Sequence, residues 1–447
     1  MLPLRRMKTK SIRRDKVNII TLGCSKNMVD SEVLSGQLRA NGLDVTHEGR
    51  KQKSNIVVVN TCGFIDKARE ESVNTILEQV ALKKEGILEK VYVTGCLSQR
   101  YREELEIEIP EVDAWYGTME MPLLLKKLNA DYKAELVGER LLSTPQHYAY
   151  LKISEGCNRT CAFCAIPLMR GTHISKTMEA IVEEARGLVR KGVKEVMLIA
   201  QELTYYGLDI YKKRALPELL HRLADIPGLE WIRLHYAYPS KFPMEILDVM
   251  RERENICNYL DMPLQHASDP MLKAMKRQIT RAEMNELIHA IREKVPGICL
   301  RTTLIAGFPG EKESDVDLMK DFLSEHRFDR VGIFTYSHEE GTSAYDLTDD
   351  VPREIKEARA QEVMELQQGI SYEKNQEKIG RVFKTLIDKK ESGRYLGRTE
   401  FDSVEVDNEV IIHSPVPLTI GSFVPVRMTR AYDFDLEGRV ENMPGEN

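Results

Sequence analysis

Long apolar runs are missing from this chain. None reaches the roughly 18 residues that a membrane-spanning helix needs. The N-terminal stretch carries Arg5, Arg6, Lys8, Lys10, Arg13, Arg14 and Lys16, but no apolar segment follows it. It reads as a basic extension over residues 1–16, neither signal peptide nor membrane anchor, and Met7 could equally be the start. Excess positive charge is missing too: 64 Lys and Arg stand against 70 Asp and Glu, a net charge of −6. That balance implies no general nucleic-acid-binding field. There is no P-loop, H-E-x-x-H or G-x-S-x-G motif. Eight cysteines in 447 residues are too sparse for a disulfide framework and suit ligands instead. The expectation is a cytoplasmic protein of about three domains, working in a reducing compartment.

Three of those cysteines, Cys157, Cys161 and Cys164, stand in one short run with the spacing C-x-x-x-C-x-x-C. Three thiolates can hold a cubane iron–sulfur cluster and leave one iron free. The pattern predicts an enzyme that presents S-adenosylmethionine to that iron and cleaves it to a radical. The competing reading is a structural zinc site completed by His173. Against it, the chain has no second C-x-x-C. Phe163 also stands just before the last cysteine, as radical S-adenosylmethionine enzymes commonly have it.

The first third alternates strands and helices. Val17–Cys24, Asn55–Cys62 and Glu89–Cys96 read as buried strands, each ending in a cysteine. Helices are expected over Asp30–Ala40, with Asp30 or Ser31 as N-cap, over Asp66–Lys84 and over Arg100–Ile107. Such alternation predicts a parallel sheet over 17–140, with ligands outside the carboxyl ends of its strands. One cysteine at a strand end means little, because free cysteine is often merely buried. Cys24, Cys62 and Cys96 at three successive strand ends predict a second metal site, again one ligand short.

From 145 to 372 a six-fold βα series follows, with strands expected at Ala149–Glu155, Glu195–Ala200, Trp231–His235, Tyr259–Pro263, Cys299–Ala306 and Val331–Tyr336. Six repeats predict an open, partial TIM-like barrel with its site at the C-terminal strand ends. The cysteine loop leaves the first strand there. Gln201 and Glu202 follow the second strand, and Glu202 could hold the amino group of the cofactor's methionine moiety. A solvated loop acid is the plainer alternative. Gly307 opens a Gly-Phe-Pro-Gly turn after the fifth strand, where bare backbone would let the adenosine approach. Arg301 and Thr303 lie in that fifth strand and are expected to face the barrel interior. Cys257 and Cys299 read as core.

Pro352 to about Gln376 reads as a charged linking helix. Short alternating strands then begin at Val382, among them Ser403–Asp407 and Phe423–Arg427, punctuated by Gly393, Gly397, Gly421 and Gly438. They predict a five-stranded OB-like barrel over 375–441. Two acidic groups stand out: Glu400, Asp402, Glu405, Asp407 and Glu409, then Asp433, Asp435 and Glu437. An open acidic face would attract a basic protein rather than RNA, unless it is merely solvated.

Taken together, these motifs resemble the methylthiotransferase family of radical S-adenosylmethionine enzymes, over about Val17 to Val440. Thr21–Glu32, Asn60–Asp66, Tyr259–Asp269 and Ile166–Gly171 are similar to the RimO-like branch, which modifies an aspartate of ribosomal protein S-twelve. The transfer RNA branch usually has Gln-Met-Asn where this chain has Ser25-Lys26-Asn27, and it stands as the alternative. A non-catalytic iron–sulfur carrier or redox sensor is the other, although a carrier needs no six-fold βα scaffold. The resemblance implies two 4Fe–4S clusters, an auxiliary one on Cys24, Cys62 and Cys96 and one on Cys157, Cys161 and Cys164 that cleaves S-adenosylmethionine. It implies an N-terminal three-cysteine domain and a C-terminal TRAM domain. Phe163, Gln201, Glu202, Arg301, Thr303 and Gly307 are the expected cofactor contacts. An electron donor and a sulfur donor are the implied partners besides the ribosomal protein, with no membrane involved.

Overall fold

The computed structural model describes residues 15–48, 54–133, 136 and 139–441. All of the basic extension except Asp15 and Lys16 lies outside them. The chain divides into two compact units, Met1–Ser143 and Thr144–Asn447. Among the described residues no helix is long and apolar enough to cross a membrane.

The first unit is a parallel sheet of five strands: β1 (Lys16–Thr21), β2 (Asp44–His47), β3 (Ile56–Thr61), β4 (Lys90–Gly95) and β5 (Ala114–Trp115), in the order β2-β1-β3-β4-β5. Helices α1 (Ser25–Ala40) and α4 (Met121–Lys127) cover one face, where Leu34, Leu38, Leu124 and Leu125 pack on Val17, Ile19 and Val58. Helices α2 (Asp66–Lys84) and α3 (Cys96–Glu108) cover the other, with Ile76, Val80 and Leu97 on Val57, Val59 and Val93. Burial on both faces explains why β3 is an unbroken apolar run rather than an alternating one. The strand order reverses between β1 and β3, and ligands bind at such a switch point.

Two helix starts differ from the sequence reading. Helix α1 begins at Ser25, five residues before Asp30, with Cys24 itself in the N-cap position. Helix α3 begins at Cys96 after Gly95, four residues before Arg100, and is kinked at Tyr101 (φ −126°, ψ 23°), so the segment expected from Arg100 is its second part. Ser25 and Asn27 looked like loop because short polar residues favour turns, but Lys26 and Asn27 are buried and tertiary contacts extend the helix.

The second unit carries six parallel strands: β6 (Tyr148–Lys152), β9 (Glu195–Ile199), β10 (Trp231–Leu234), β11 (Ile256–Asp261), β12 (Cys299–Ala306) and β13 (Arg330–Thr335). A short antiparallel pair, β7 (Ser154–Glu155) and β8 (Ile174–Ser175), brackets the cysteine loop. The six strands lie in chain order, so the sheet is an open partial barrel, as the βα count predicts. Seven helices accompany them, from α5 (Ile166–Arg170), α6 (Met178–Arg190), α7 (Leu216–Ala224) and α8 (Glu245–Glu252) to α9 (Asp269–Ala274), α10 (Arg281–Lys294) and α11 (Glu313–His326). Helix α12 (Arg353–Gln376) leads to a closed five-stranded barrel of β14 (Val382–Glu391), β15 (Arg394–Thr399), β16 (Val410–His413), β17 (Phe423–Ala431) and β18 (Leu436–Val440).

The segment Ser403–Asp407 is not a strand. It belongs to a loop between β15 and β16 that inserts against one face of the six-stranded sheet. Every strand of that sheet contributes a partner to this loop or to the end of β15. Tyr150 of β6 donates to Glu405 at 2.8 Å, and Arg398 of β15 pairs with Glu195 of β9 at 2.7 Å. Arg233 of β10 donates to the Glu400 carbonyl, and Tyr259 of β11 to Asp407 at 2.7 Å. Arg301 of β12 pairs with Asp407, and Arg330 of β13 with Asp402 at 2.7 Å. Four members of the first acidic group are therefore engaged by this sheet rather than forming an open docking face, while Glu409 reaches solvent and pairs with Lys389 at 3.1 Å. The loop's alternation of valine and acid imitates a strand, while Asp402 and Asp407 neutralise Arg330 and Arg301 on the facing sheet. Cys257 and Cys299 are buried at the same junction, beside Trp231, Leu386 and Phe401.

Candidate metal centres

In the first unit, glycines let the three segments that carry Cys24, Cys62 and Cys96 approach one another closely. A Cβ on Gly23 would stand 2.6 Å from Cys62 Cβ and 2.8 Å from its sulfur. A Cβ on Gly63 would stand 2.7 Å from Leu97 N and 2.9 Å from Cys96 C. Backbone can approach that closely only where no side chain intervenes. Asn27 lies beneath, fully buried, donating to the Leu22 carbonyl at 2.8 Å and the Thr61 carbonyl at 3.0 Å, with its Oδ1 3.8 Å from Cys96 Sγ. Ser72 of α2 pins Cys62 through both its N–H and its carbonyl. Cys24 is exposed, while Cys62 and Cys96 are buried. Cys24 and Cys96 each sit at a helix N-terminus, where the partial positive charge favours an anionic centre.

In the second unit, β6 and β7 run directly into the loop bearing Cys157, Cys161 and Cys164. Burial, with Cys161 as a neighbour, pushes the Cys157 thiol up to about 11 and the Cys164 thiol up to about 12. They are protonated at neutral pH and become thiolates on binding metal. Arg159, within the loop, stacks between Tyr205 at 4.0 Å and Tyr238 at 3.8 Å and pairs with Glu202 at 3.1 Å. Arg277, from the segment after α9, donates to Cys161 Sγ at 3.2 Å. Phe163 packs on the cluster of Ala162, Met271, Phe308 and Tyr336. His173, the zinc alternative, directs Nε2 at Ser175 Oγ, 3.1 Å away. Among the described residues no three His, Cys, Asp or Glu side chains converge closely enough to hold a single metal ion.

Glu202 is not a solvated loop acid. It is 2% exposed, and besides Arg159 it accepts from Thr204 N at 2.7 Å, capping a short 3₁₀ turn. Gln201 donates to Glu155 at 2.8 Å, and Glu155 also binds Lys152 and Arg170. Arg301 and Thr303 alternate along β12 with the fully buried Thr302 and Leu304, on the opposite face. The Arg301 guanidinium is committed to Asp261 at 2.9 Å and to Asp407. At Gly307 the space a Cβ would fill is taken by the Lys356 stem, 2.2 Å away, so packing of α12 already requires this glycine.

Models of three protein families match: the uncharacterized protein family UPF0004 over residues 16–117, the radical SAM superfamily over 151–323 and the TRAM domain over 379–440. A ribosomal protein uS12 methylthiotransferase RimO of Flavobacterium johnsoniae is 59% identical, over 97% of this chain and 99% of its own length. The chain belongs to the RimO family. Relatives of the same name in Flavobacterium psychrophilum and Cytophaga hutchinsonii are 58% and 57% identical, each over 97% of this chain. Among solved structures, the radical S-adenosylmethionine methyltransferase TsrM of Kitasatospora setae matches 72% of this chain and 75% of its own, with TM-score 0.53 and 15% identity. The cobalamin-dependent radical enzyme OxsB matches 79% of this chain and 56% of its own, with TM-score 0.51 and 14% identity. At those identities the likeness is of fold.

The residues suit the iron–sulfur cluster and S-adenosylmethionine that a radical SAM enzyme of this family uses. Soft thiolates are the donor set such clusters take. Buried polar atoms beside the cysteine loop, Ser154 Oγ, Gln201 Oε1, Arg159 Nε and Arg277 Nε, have no hydrogen-bond partner among the described residues. Native interiors leave few such atoms unsatisfied, so a polar ligand is their natural complement. Sequence reasoning passed over Arg159, Arg277, Tyr205 and Tyr238. Arg159 was open to it as the one cation inside the cysteine run. Arg277 lies 113 positions after Cys164 with no spacing to mark it.

Proposed function

We propose that this chain methylthiolates an aspartate β-carbon of ribosomal protein uS12, with S-adenosylmethionine as both methyl donor and radical source. The observation that carries this reading is a three-cysteine loop leaving the first strand of a partial barrel, together with three further cysteines, each just after a strand end of the other unit. Membership of the RimO family supports the substrate.

The proposal assigns two 4Fe–4S clusters. Cys157, Cys161 and Cys164 would hold one, with S-adenosylmethionine on its open iron. Cys24, Cys62 and Cys96 would hold the auxiliary one, which bears the sulfur to be transferred. The division of labour follows the expected domains, 17–140 for the auxiliary cysteines, 145–372 for the radical core and 375–441 for the TRAM domain. Loaded, the radical centre supplies a carbon radical able to take hydrogen from an unactivated sp³ carbon, which no side-chain base does near neutral pH.

The chain's own residues position and shield. Arg159, clamped by two tyrosines and Glu202, fixes the cysteine loop. Gln201 offers its unpartnered Oε1 to a donor on the cofactor, and Phe163 supplies an apolar wall. Glu202 is retained as a cofactor contact that acts beside its pairing with Arg159. Arg301, Thr303 and Gly307 are kept as the barrel-side contacts, with Arg301 oriented by Asp261. A reductant and a sulfur donor come from outside the chain, and the place of action is the cytoplasm, with the ribosomal protein.

Two measurements test this. Mass analysis of ribosomal proteins and of transfer RNA from cells lacking the chain should find uS12 lighter by the methylthio group and transfer RNA unchanged. A missing methylthio-adenosine with intact uS12 would transfer the assignment to the transfer RNA branch. After anaerobic reconstitution, Cys157, Cys161 and Cys164→Ala should keep one cluster and lose 5′-deoxyadenosine formation. Cys24, Cys62 and Cys96→Ala should keep the other cluster and that reaction. The reverse pattern would exchange the two sites.

A further inference from the structure

Seven arginines are buried among the described residues, and six of them face a carboxylate. The pairs are Arg140–Glu32 at 3.1 Å, Arg159–Glu202 at 3.1 Å, Arg170–Glu155 at 3.2 Å, Arg233–Glu195 at 2.8 Å, Arg330–Asp402 at 2.7 Å and Arg398–Asp388 at 2.7 Å. The seventh, Arg277, is 3% exposed and has no carboxylate partner among the described residues. An unpaired buried charge costs several kcal/mol, so a fold that keeps one has an anion in reserve for it.

What faces Arg277 is sulfur. Its Nη1 donates to Cys161 Sγ at 3.2 Å, its Nη2 to the Pro263 carbonyl at 2.5 Å, and its Nε has no partner. The guanidinium lies over the Tyr238 ring at 4.2 Å, while Tyr238 Oη donates back to the Arg277 carbonyl at 2.6 Å. The backbone around it is shaped for this placement. Lys276 and Gln278, one on each side, both have φ of 55°, a left-handed conformation that non-glycine residues adopt at a cost of about 1 kcal/mol or more. Arg159, the other cation at the loop, is already neutralised by Glu202.

We propose that Arg277 is the counter-ion of the iron–sulfur cluster on Cys157, Cys161 and Cys164 and holds that cluster's reduction potential up. The inference rests on the cluster assignment made above. Three thiolates outweigh the charge of the cubane core, so the assembled centre is anionic, and one-electron reduction makes it more so. A fixed cation hydrogen-bonded to a ligand sulfur stabilises the reduced form more than the oxidised one. Arg277 is thus a positioning residue that acts through the cluster.

The test is a redox titration, followed by electron paramagnetic resonance, of the full-length reconstituted chain with Cys24, Cys62 and Cys96→Ala, so that one centre reports. At the midpoint of that parent, Arg277→Met should lower the ratio of reduced to oxidised cluster at least tenfold, which is 59 mV for a one-electron couple. Arg277→Lys, which keeps the charge, should stay within about threefold of the parent. An Arg277→Met protein with full iron and the parental midpoint overturns the proposal. If Arg277→Met holds no iron, Arg277→Lys decides: iron at the parental midpoint supports a counter-ion, and loss of iron there too overturns it in favour of a packing role. A parent that assembles no cluster rejects the underlying cluster assignment, and the proposal with it.

Discussion

Glu195→Gln should uncouple the C-terminal barrel from the partial barrel. Glu195 opens β9 and is fully buried between two guanidiniums, Arg233 at 2.8 Å and Arg398 at 2.7 Å. Arg398 also binds Asp388, which His147 contacts at 2.8 Å. Burial alone would raise the Glu195 carboxyl, but Arg398 and Arg233 outweigh it and hold the pKa below the usual carboxylate range. Two cations and two anions balance in this network. Glutamine preserves the shape and leaves one buried cation uncompensated, at about 3–5 kcal/mol. For a unit of this size that corresponds to a fall in Tm of roughly 5–8 °C.

The chain carries two tryptophans, Trp115 in the first unit and Trp231 in the second. Trp231 is 3% exposed and packs edge-on against Phe423 of β17, with ring centroids 4.7 Å apart. In a Trp115→Phe background its fluorescence therefore reports on the junction between the two barrels. Adding Arg233→Gln should recover at least half of the lost Tm, because Arg398 keeps Asp388 and no buried cation is then left without a carboxylate. A Glu195→Gln transition within about 2 °C of the parent, or no recovery in the double variant, would refute the network's part in joining the barrels.

Gly63→Ala forces a Cβ into the Cys96–Leu97 backbone, so iron bound by the first cysteine set should be lost while the second set keeps its own; equal iron at both would contradict that crowding. Glu202→Gln weakens the Arg159 pair and should lower S-adenosylmethionine affinity at unchanged iron content, as read by equilibrium binding; unaltered affinity rejects its role. Burial acts to raise the Asp261 carboxyl, but Arg301 and His235 hold it down to about 2. Because its folded pKa is depressed, its stabilisation is complete above about pH 4 and is lost as pH falls toward 2, on the order of 2.5 kcal/mol. Asp261→Asn should flatten the stability profile of the second unit across that window, and an unchanged slope counts against the pairing.

Spacing and period carried much of the architecture. The six-fold βα series is a local pattern that survives into the fold, and the tail does close with five strands, although Ser403–Asp407 alternates like one and is loop. Cys24, Cys62 and Cys96 were legible as a candidate set because each follows a strand end, and parallel strands put their carboxyl ends on one side. The helix starts at Ser25 and Cys96 were not, because they depend on what the helix packs against. Nor was the sense of the glycines beside the cysteines. Gly23 and Gly63 are ordinary in a sequence, and only the close approach to Cys62 and Cys96 gives each its reason.

Charge was the least legible property. Glu400, Asp402, Glu405 and Asp407 read as a surface because their partners, Arg233, Arg330, Tyr150 and Arg301, stand 72 to 255 positions earlier. A run of acids invites a docking reading when its counter-charges are remote in sequence. Here the loop brings Asp402 against Arg330 and Asp407 against Arg301, and the buried charges cancel pair by pair. Arg277 is the converse case. A single arginine with nothing nearby to mark it becomes conspicuous once every other buried arginine is seen to have its carboxylate. In both cases the sign of a residue conveyed little until its partner was known. The informative quantity at this site is the buried charge left over after pairing, and at the cysteine loop that remainder is one guanidinium facing sulfur.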